Sequence, residues 1–209
     1  MLEYTLEQEL WDDGYEYVCG VDEAGRGPLC GPVVVAAVIL PRGLFIEGLN
    51  DSKKLTAKKR EALYDVICES AIAYVIEEGS VEEIDSTDII ETTMAAMRRA
   101  VEKLSVKANF ALIDGNIARG FTTPAKPVIG GDAKSPSIAA ASILAKVTRD
   151  RLCEQIDKDF PMYGIAKHKG YGTKDHKNAL RIYGAEPSIY RKKFIRFLDN
   201  EKNKSNENG

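Results

Sequence analysis

The sequence has little of the chemistry that zinc, disulfide and thiol-redox sites require. Only two histidines and four cysteines occur in 209 residues, and no two cysteines form a C-x-x-C pair. A zinc site is not expected, because the histidines lie far from the cysteines along the chain. The cysteines are expected to be free, mostly buried thiols in a reducing compartment.

Long apolar runs and a strongly basic composition are also missing. No apolar stretch approaches the roughly 20 residues of a membrane-spanning helix. The first 14 residues are acidic and lack the basic and apolar regions of a signal peptide. We therefore expect a cytoplasmic protein without a membrane segment. The net charge is −3, so any nucleic-acid binding requires a local basic surface.

The chain length fits one domain with a small appendage. We predict a catalytic domain over residues 1–160, a basic helical extension over 161–199 that packs on it, and a disordered polar tail over 200–209. Residues 163–196 carry nine lysines and arginines interleaved with aromatic residues. Lysines neutralise phosphates, and tyrosines pack on sugars or bases. The extension is therefore a candidate nucleic-acid surface.

Apolar periodicity predicts strands and helices in alternation. Strands are expected over residues 16–21, 32–40, 71–76, 110–113 and 128–129. Helices are expected over 1–14, 56–70, from 86 or 87 onward, 135–159, 174–183 and 187–198, with a short turn or helix over 81–86. This order predicts an α/β fold with a mixed central sheet flanked by helices.

Two of these helices have predicted buried stripes. In the helix over 56–70 the inward residues are Leu63, Val66 and Ile67. In the helix that follows residue 87 they are Ile90, Met94, Met97, Val101 and Leu104.

The segment from residue 16 to 35 predicts a strand, a charged turn and a second strand. Asp22 and Glu23 follow an apolar run, and Gly25-Arg26-Gly27 follow them. Neighbours on a strand point to opposite faces, so the two acids share a site only if the strand ends or bulges there. The glycines permit positive φ and close approach to a ligand. Free backbone N–H groups beside Arg26 suit a phosphate or a hydroxyl.

Three separate apolar runs end at acids: Asp22-Glu23, Asp114 and Asp132. Ligands gather at the carboxyl ends of strands in α/β sheets, so four carboxylates converge if these strands are neighbours. A divalent cation relieves the repulsion, and ligands that are all oxygen indicate Mg²⁺ or Mn²⁺. Two such ions about 4 Å apart can hold an attacking water and a leaving oxygen in line across a phosphate.

The glycine-flanked Tyr171 lies in a basic loop where it is poorly placed for core packing, so it is a candidate ligand contact. His168 and His176 are interpreted as surface or phosphate contacts, because a two-metal site needs no histidine base. Asp150 is expected to pair with Lys146 one helical turn earlier, outside the site.

Six motifs occur in order along the chain: DEAGRGP (22–28), DSKKL (51–55), IDGN (113–116), GD (131–132), AASILAKVTRD (140–150) and HKGY (168–171). Taken together, they resemble bacterial ribonuclease HII. The resemblance runs in order from about residue 16 to 195. It implies an RNase H-like fold with a C-terminal helical extension. It further implies an endonuclease that cuts the RNA strand of RNA–DNA hybrids and incises 5′ of single ribonucleotides in duplex DNA, leaving a 3′-hydroxyl and a 5′-phosphate.

The resemblance also implies residue roles. Asp22, Glu23, Asp114 and Asp132 would be the catalytic acids that bind two ions of Mn²⁺ or Mg²⁺. The backbone of Gly25, Arg26 and Gly27 would read the ribose 2′-hydroxyl, and Tyr171 would stack on the sugar of the deoxynucleotide beyond the junction. Lys53, Lys54 and Lys146 would contact phosphates. We expect a monomer.

The residues without the resemblance lead only to a metal-dependent enzyme acting on a phosphate diester, with nucleic acid as the substrate. One alternative is another carboxylate-cluster nuclease or phosphoryl transferase, either ribonuclease HIII-like or acting on DNA. The other is a non-catalytic nucleic-acid-binding protein. The four acids argue against it, because uncompensated acids weaken binding to an anionic backbone.

Overall fold

A five-stranded mixed sheet forms the centre of the computed structural model, which describes residues 2–200. The strands are β1 (Val18–Ala24), β2 (Val33–Ile39), β3 (Ala73–Gly79), β4 (Phe110–Asp114) and β5 (Ala125–Val128), in the spatial order β3-β2-β1-β4-β5. The pairs β1–β2 and β2–β3 are antiparallel, whereas β1–β4 and β4–β5 are parallel. The predicted mixed sheet is confirmed.

Seven α-helices are bounded within residues 2–200, and a further helical stretch begins at 197. They are α1 (Thr5–Asp12), α2 (Ala57–Ser70), α3 (Val81–Ser86), α4 (Ile89–Glu102), α5 (Pro136–Asp159), α6 (Ile165–His168) and α7 (Lys174–Tyr183). Among residues 2–200, no helix is long and apolar enough to cross a membrane.

Helices cover both faces of the sheet, and the burial of β2 shows the result. One face of β2, with Val34, Ala36 and Val38, packs against α2 and α5. The other face, with Val35 and Ala37, packs against α4. Every residue of β2 is buried, so this strand reads as a continuous apolar run rather than an alternating one.

The long helix α5 begins as predicted. The Ser135 side chain accepts a hydrogen bond from the Ile138 N–H, and Pro136 occupies the first turn. A buried acid from α1 adds to this cap, because the Glu7 carboxylate accepts hydrogen bonds from Ser135 Oγ at 2.5 Å and from Ser137 N at 3.1 Å. The sequence pattern had not distinguished Glu7 from the other acids of α1.

The C-terminal extension has a small core of its own that joins the rest of the molecule. Tyr163, Ile165, Leu180 and Tyr190 pack with other apolar residues that include Leu29, Cys30 and Cys153 from earlier in the chain. The division of the chain at residue 160 stays a prediction.

Several predictions of detail are wrong. Val66 is 42% exposed and Ile90 is 40% exposed, although the rest of both stripes is buried. Asp88, not Ser86 or Thr87, caps α4, since its side chain accepts from two N–H groups of the first turn. The helix predicted over 187–198 is replaced by a 3₁₀ turn at Lys192–Phe194, with helical backbone resuming at 197.

Two other predictions concern the cysteines and the tail. All four cysteines are free, with Cys19, Cys30 and Cys153 buried and Cys68 half-buried, as expected. The predicted disordered tail, apart from its first residue Asn200, lies outside the described residues.

Gly20 is the point of closest approach between β1 and α5. A side chain there would run into the backbone of Ser137 and Ile138. We therefore expect Gly20→Ala to lower the free energy of unfolding by at least about 3 kcal/mol, since a helix backbone cannot shift cheaply in a packed core. Thermal unfolding measures this loss. Gly79→Ala is the matched control, because its new methyl group meets the side chains of Thr92 and Val33 and approaches backbone only at the Thr92 carbonyl, at the ordinary contact distance of 3.4 Å. Equal losses in both variants would contradict this account of the α5–β1 contact.

Candidate active site

Three acids meet where the parallel strands β1 and β4 end. β4 ends at Asp114, while β1 continues through Asp22 and Glu23 to Ala24. The side chains of all three acids line one cleft of about 250 Å³. The convergence of these acids at the carboxyl ends of neighbouring strands follows the predicted arrangement.

The expectation that β1 ends or bulges at Asp22 is wrong. The strand stays regular because Glu23 and Ala24 still pair with Val35 and Val34 of β2. Asp22 therefore faces α5 near Ser142, whereas Glu23 faces α4. Both acids can still share a site because β4 stops beside them, and Asp114 lies between the two faces of the sheet.

Burial and mutual repulsion act on these acids. The pKa of Asp22 is raised well above its usual range by burial, and further by the charges of Glu23 and Asp114. Burial also raises the pKa of Glu23, although Arg26, whose Nη1 lies 3.2 Å from Glu23 Oε1, opposes that shift. A divalent cation would relieve this electrostatic cost.

The fourth acid, Asp132, lies next to the other three, but its carboxylate is paired with a lysine. Asp132 is buried in a 3₁₀ turn after β5, and Lys53 Nζ donates to its Oδ2 at 2.9 Å. The neighbouring Gly131 N–H donates to Asp114 Oδ1 at 2.7 Å, which ties the two acidic segments together. Within residues 2–200, no three His, Cys, Asp or Glu side chains are gathered into a complete metal cage. The all-carboxylate donor set, with two raised pKa values, fits a hard divalent cation.

The glycine-rich turn after β1 borders the same cleft. Gly25 has φ of 101°, a left-handed conformation that glycine adopts without strain. Within the described chain, the backbone N–H groups of Gly25, Arg26 and Gly27 donate no hydrogen bond to a protein acceptor. Arg26 and Gly27 are exposed. The glycine-rich turn therefore places backbone donors without protein acceptors at the border of the cleft, beside the acids.

Tyr171 also lines this cleft and is 52% exposed. A Cβ atom placed on Gly27 would lie 3.4 Å from Tyr171 Cε1, so the ring borders the glycine-rich turn. An exposed aromatic ring beside free backbone donors suits a sugar or a base.

The prediction that the histidines are surface or phosphate contacts is wrong for His176, whereas His168 is half-buried. His176 is fully buried and stacks on His168 with ring centroids 4.1 Å apart. Burial lowers the pKa of His176, so its ring is neutral. Its Nδ1–H donates to the Tyr171 carbonyl at 2.9 Å, and its Nε2 accepts from the Tyr190 hydroxyl at 2.8 Å. These histidines support the Tyr171 loop from beneath.

Two of the three predicted phosphate-binding lysines line the cleft, and the third does not. Lys53 and Lys146 line the cleft. Lys146 Nζ lies 2.5 Å from Asp150 Oδ1, which confirms the predicted pair, and Arg60 reaches the same carboxylate at 3.8 Å. Lys54 does not line the cleft and pairs with Asp51 at 4.0 Å.

Sequence reasoning missed four polar residues around the site. Ser52 and Ser142 share a buried hydrogen bond of 2.9 Å between their Oγ atoms at the cleft. Arg149 and Arg191 are both buried, although Arg191 was counted in the basic surface of the extension. A charged residue in a basic segment carries no local signal of burial, because its partners are backbone carbonyls far away in sequence.

A family model described as Ribonuclease HII matches residues 19–197. The chain belongs to the ribonuclease HII family. It is 53% identical over 188 residues to ribonuclease HII of Desulfitobacterium hafniense, covering 90% of this chain and 72% of that protein. It is 57% identical over 169 residues to ribonuclease HII of Burkholderia mallei, covering 81% and 79%.

A solved structure agrees with this assignment. The crystal structure of ribonuclease H2 from Pyrococcus horikoshii OT3 superposes with a TM-score of 0.76 at 27% identity, covering 89% of this chain and 98% of that one. The fold is therefore RNase H-like, as the resemblance implied. The chain is a metal-dependent ribonuclease H, which is a hydrolase.

We expect Asp22→Asn to stabilise the metal-free protein. The folded-state pKa of Asp22 is raised, so its charge lowers stability at neutral pH; this cost shrinks as the pH falls below the folded pKa and is gone below the unfolded pKa. Asparagine keeps the acceptor for the Glu23 N–H, which Asp22 Oδ1 provides at 2.7 Å. In chelator at pH 7 the Tm should rise by about 2–4 °C, or about 1 kcal/mol.

The exposed Asp65 on α2 supplies the control, because Asp65→Asn removes a charge without relieving burial. The gain from Asp22→Asn should shrink at lower pH. A Tm that falls at pH 7 would contradict the repulsion described for the cleft.

Proposed function

We propose that the chain hydrolyses the RNA strand of RNA–DNA hybrids and incises 5′ of single ribonucleotides in duplex DNA, leaving a 3′-hydroxyl and a 5′-phosphate. One observation carries this proposal: acids, free backbone donors and an exposed aromatic ring line the same cleft. The acids suit phosphate hydrolysis, and the donors suit recognition of a hydroxyl that DNA lacks.

The acids Asp22, Glu23, Asp114 and Asp132 would hold two divalent ions, either Mg²⁺ or Mn²⁺. When bound, such ions polarise the scissile phosphate and activate water for in-line attack. Lys53 Nζ contacts Asp132 Oδ2, so the ammonium neutralises this buried acid in the metal-free protein. If Asp132 served as a metal ligand, Lys53 would be free to contact a phosphate oxygen.

The N–H groups of Gly25, Arg26 and Gly27 are the proposed ribose readers. The 2′-hydroxyl is the group that distinguishes RNA from DNA, and its oxygen accepts hydrogen bonds from such donors. Tyr171, beside Gly27, would stack on the sugar of the deoxynucleotide that follows. A nuclease acting on DNA alone has no use for this arrangement, which favours the ribonucleotide reading over that alternative.

Phosphates on either side of the scissile bond would meet the lysines. Lys53 and Lys146 border the cleft, and Asp150 orients Lys146 from one turn along α5. Lys54, with a side chain 62% exposed, would reach a phosphate outside the cleft. Each contact would strengthen binding to any duplex and weaken with added salt.

Asp114→Asn tests the catalytic assignment. Asparagine retains the Oδ1 acceptor for the Gly131 N–H but removes the charge that a metal ion needs. We expect single-turnover cleavage of a ribonucleotide-containing duplex to fall more than about 100-fold, beyond what second-shell changes cause. Affinity for the duplex, measured by fluorescence anisotropy, should change little. Cleavage at the original rate would remove Asp114 from the catalytic set.

Gly27→Ala tests close approach of the backbone to the ribose. The new methyl group meets only ordinary contact with Tyr171, so the Tm should stay unchanged. It occupies space that the ribose needs, so cleavage at a single ribonucleotide should fall at least about tenfold, a loss of about 1.4 kcal/mol in transition-state binding.

Gly172→Ala is the matched control for this variant. Its methyl group also meets only ordinary contacts, and Gly172 does not line the cleft. Full activity in Gly27→Ala, or an equal loss in Gly172→Ala, would argue against backbone reading at Gly27.

A further inference from the structure

Two loops border the cleft: the glycine-rich turn after β1 and the loop that carries Tyr171. Both are held by hydrogen bonds that lead to one short C-terminal segment, Ile189–Arg191. The Gly31 N–H donates to the Ile189 carbonyl at 2.8 Å, and the Arg191 N–H donates to the Leu29 carbonyl at 3.0 Å. These bonds form an isolated antiparallel bridge between Cys30 and Tyr190. The segment lies more than 150 residues from the loop in sequence.

The Arg191 side chain penetrates beneath the glycine-rich turn. It is fully buried, and its guanidinium donates to four backbone carbonyls. Nη2 donates to Gly25 O at 2.7 Å, Nη1 to Arg26 O at 3.1 Å and Pro28 O at 2.9 Å, and Nε to Gly31 O at 2.9 Å. Burial lowers the pKa of Arg191 to about 10, so the group remains a cation at neutral pH.

The four hydrogen bonds from Arg191 also fix the direction in which the free N–H groups of the turn point. A trans peptide unit is planar, with its C=O and N–H pointing to opposite sides, and the described chain contains no cis bonds. The Gly25 carbonyl shares a peptide unit with the Arg26 N–H, and the Arg26 carbonyl shares one with the Gly27 N–H. Because both carbonyls point to the buried guanidinium, both N–H groups point away from it, toward the exposed side of the turn.

We propose that Arg191 is a positioning residue for ribose recognition: by holding the Gly25 and Arg26 carbonyls inward, it aims the N–H groups of Arg26 and Gly27 at the substrate. This inference rests on the proposed function, since it explains how the ribose reader is built. The basic residue of the extension that matters most for selectivity is therefore one that never touches the nucleic acid.

Only arginine fits this position. Its planar fork carries five N–H donors in fixed directions, so one side chain reaches carbonyls that lie on different sides of it. A lysine ammonium carries the same charge but three donors on a single atom. Arg191→Lys therefore keeps the cation and leaves at least one of the four carbonyls without its partner.

The second cleft-facing loop depends on the same segment. The Leu29 N–H donates to the Gly170 carbonyl at 2.8 Å, and the Tyr190 hydroxyl reaches the Tyr171 carbonyl through His176. The ribose reader and the stacking tyrosine are thus set relative to one another by adjacent residues of the extension.

The test compares binding of two matched duplexes, one with a single ribonucleotide and one of DNA alone, at fixed salt. Every protein carries Asp114→Asn, so that turnover does not interfere. With Arg191 intact, we expect tighter binding to the ribonucleotide duplex. Arg191→Lys should lower that preference at least fivefold, while affinity for the all-DNA duplex changes less than twofold.

Leu180→Ala is the control for general damage to the extension, because Leu180 is buried in the same small core and its apolar side chain donates no hydrogen bond to a loop carbonyl. It should lower the Tm and keep the preference. An unchanged preference in folded Arg191→Lys, or an equal loss in Leu180→Ala, would overturn the positioning role alone. No preference in the protein with Arg191 intact would overturn the proposed function as well.

A measurement on the unaltered protein decides the matter if Arg191→Lys does not fold. ¹⁵N relaxation should give order parameters of about 0.85 for the backbone N–H bonds of Arg26 and Gly27, the value typical of a rigid backbone. Their amide protons should nevertheless exchange quickly with water, because they are held in place but bound to no protein acceptor. Order parameters under about 0.6, or slow exchange, would show that the clamp does not present these donors.

Discussion

Repulsion among the carboxylates at the ends of β1 and β4 is the constraint on which the rest of this structure depends. Asp22, Glu23 and Asp114 line one cleft, and burial makes their charges costly to keep close together. The fold holds them there through two parallel strands and a helix packed so closely that β1 needs a glycine beneath α5. Lys53 and Arg26 each neutralise one acid of the cluster. A metal-dependent hydrolase gains from this unfavourable arrangement, because cation binding relieves it.

The extension completes the site from the opposite side. It contributes surface lysines, but its most buried polar residues, His176 and Arg191, act on backbone carbonyls. The sheet therefore positions the acids, and the extension positions the loops proposed to recognise the ribose. Selectivity and chemistry depend on different parts of the chain, which meet at the turn after β1.

The features that could be predicted from the sequence are those encoded by local patterns. The strand that ends at Asp114, the cap at Ser135 and the glycine-rich turn all carry their signals within a few residues. The strand predicted over 128–129 is wrong in its bounds, because β5 covers Ala125–Val128 and Asp132 lies in the 3₁₀ turn after it. The sequence did not predict that β1 continues to Ala24, because that depends on pairing with Val34 across the hairpin. Ile90 follows the helical period yet is 40% exposed and lines a small pocket beside Glu23 and Asp114 rather than the core. Arg191 and His176 were misassigned because burial of a polar side chain depends on partners that are distant in sequence.

Cleavage of a labelled duplex with one ribonucleotide, beside an all-DNA duplex of the same sequence, tests the central claim most directly. Each is incubated with Mg²⁺, with Mn²⁺ and with chelator. We predict a metal-dependent cut on the 5′ side of the ribonucleotide, while the all-DNA duplex stays intact. Equal cleavage of both duplexes would contradict recognition of the 2′-hydroxyl. Cleavage in chelator would contradict the role assigned to the four acids.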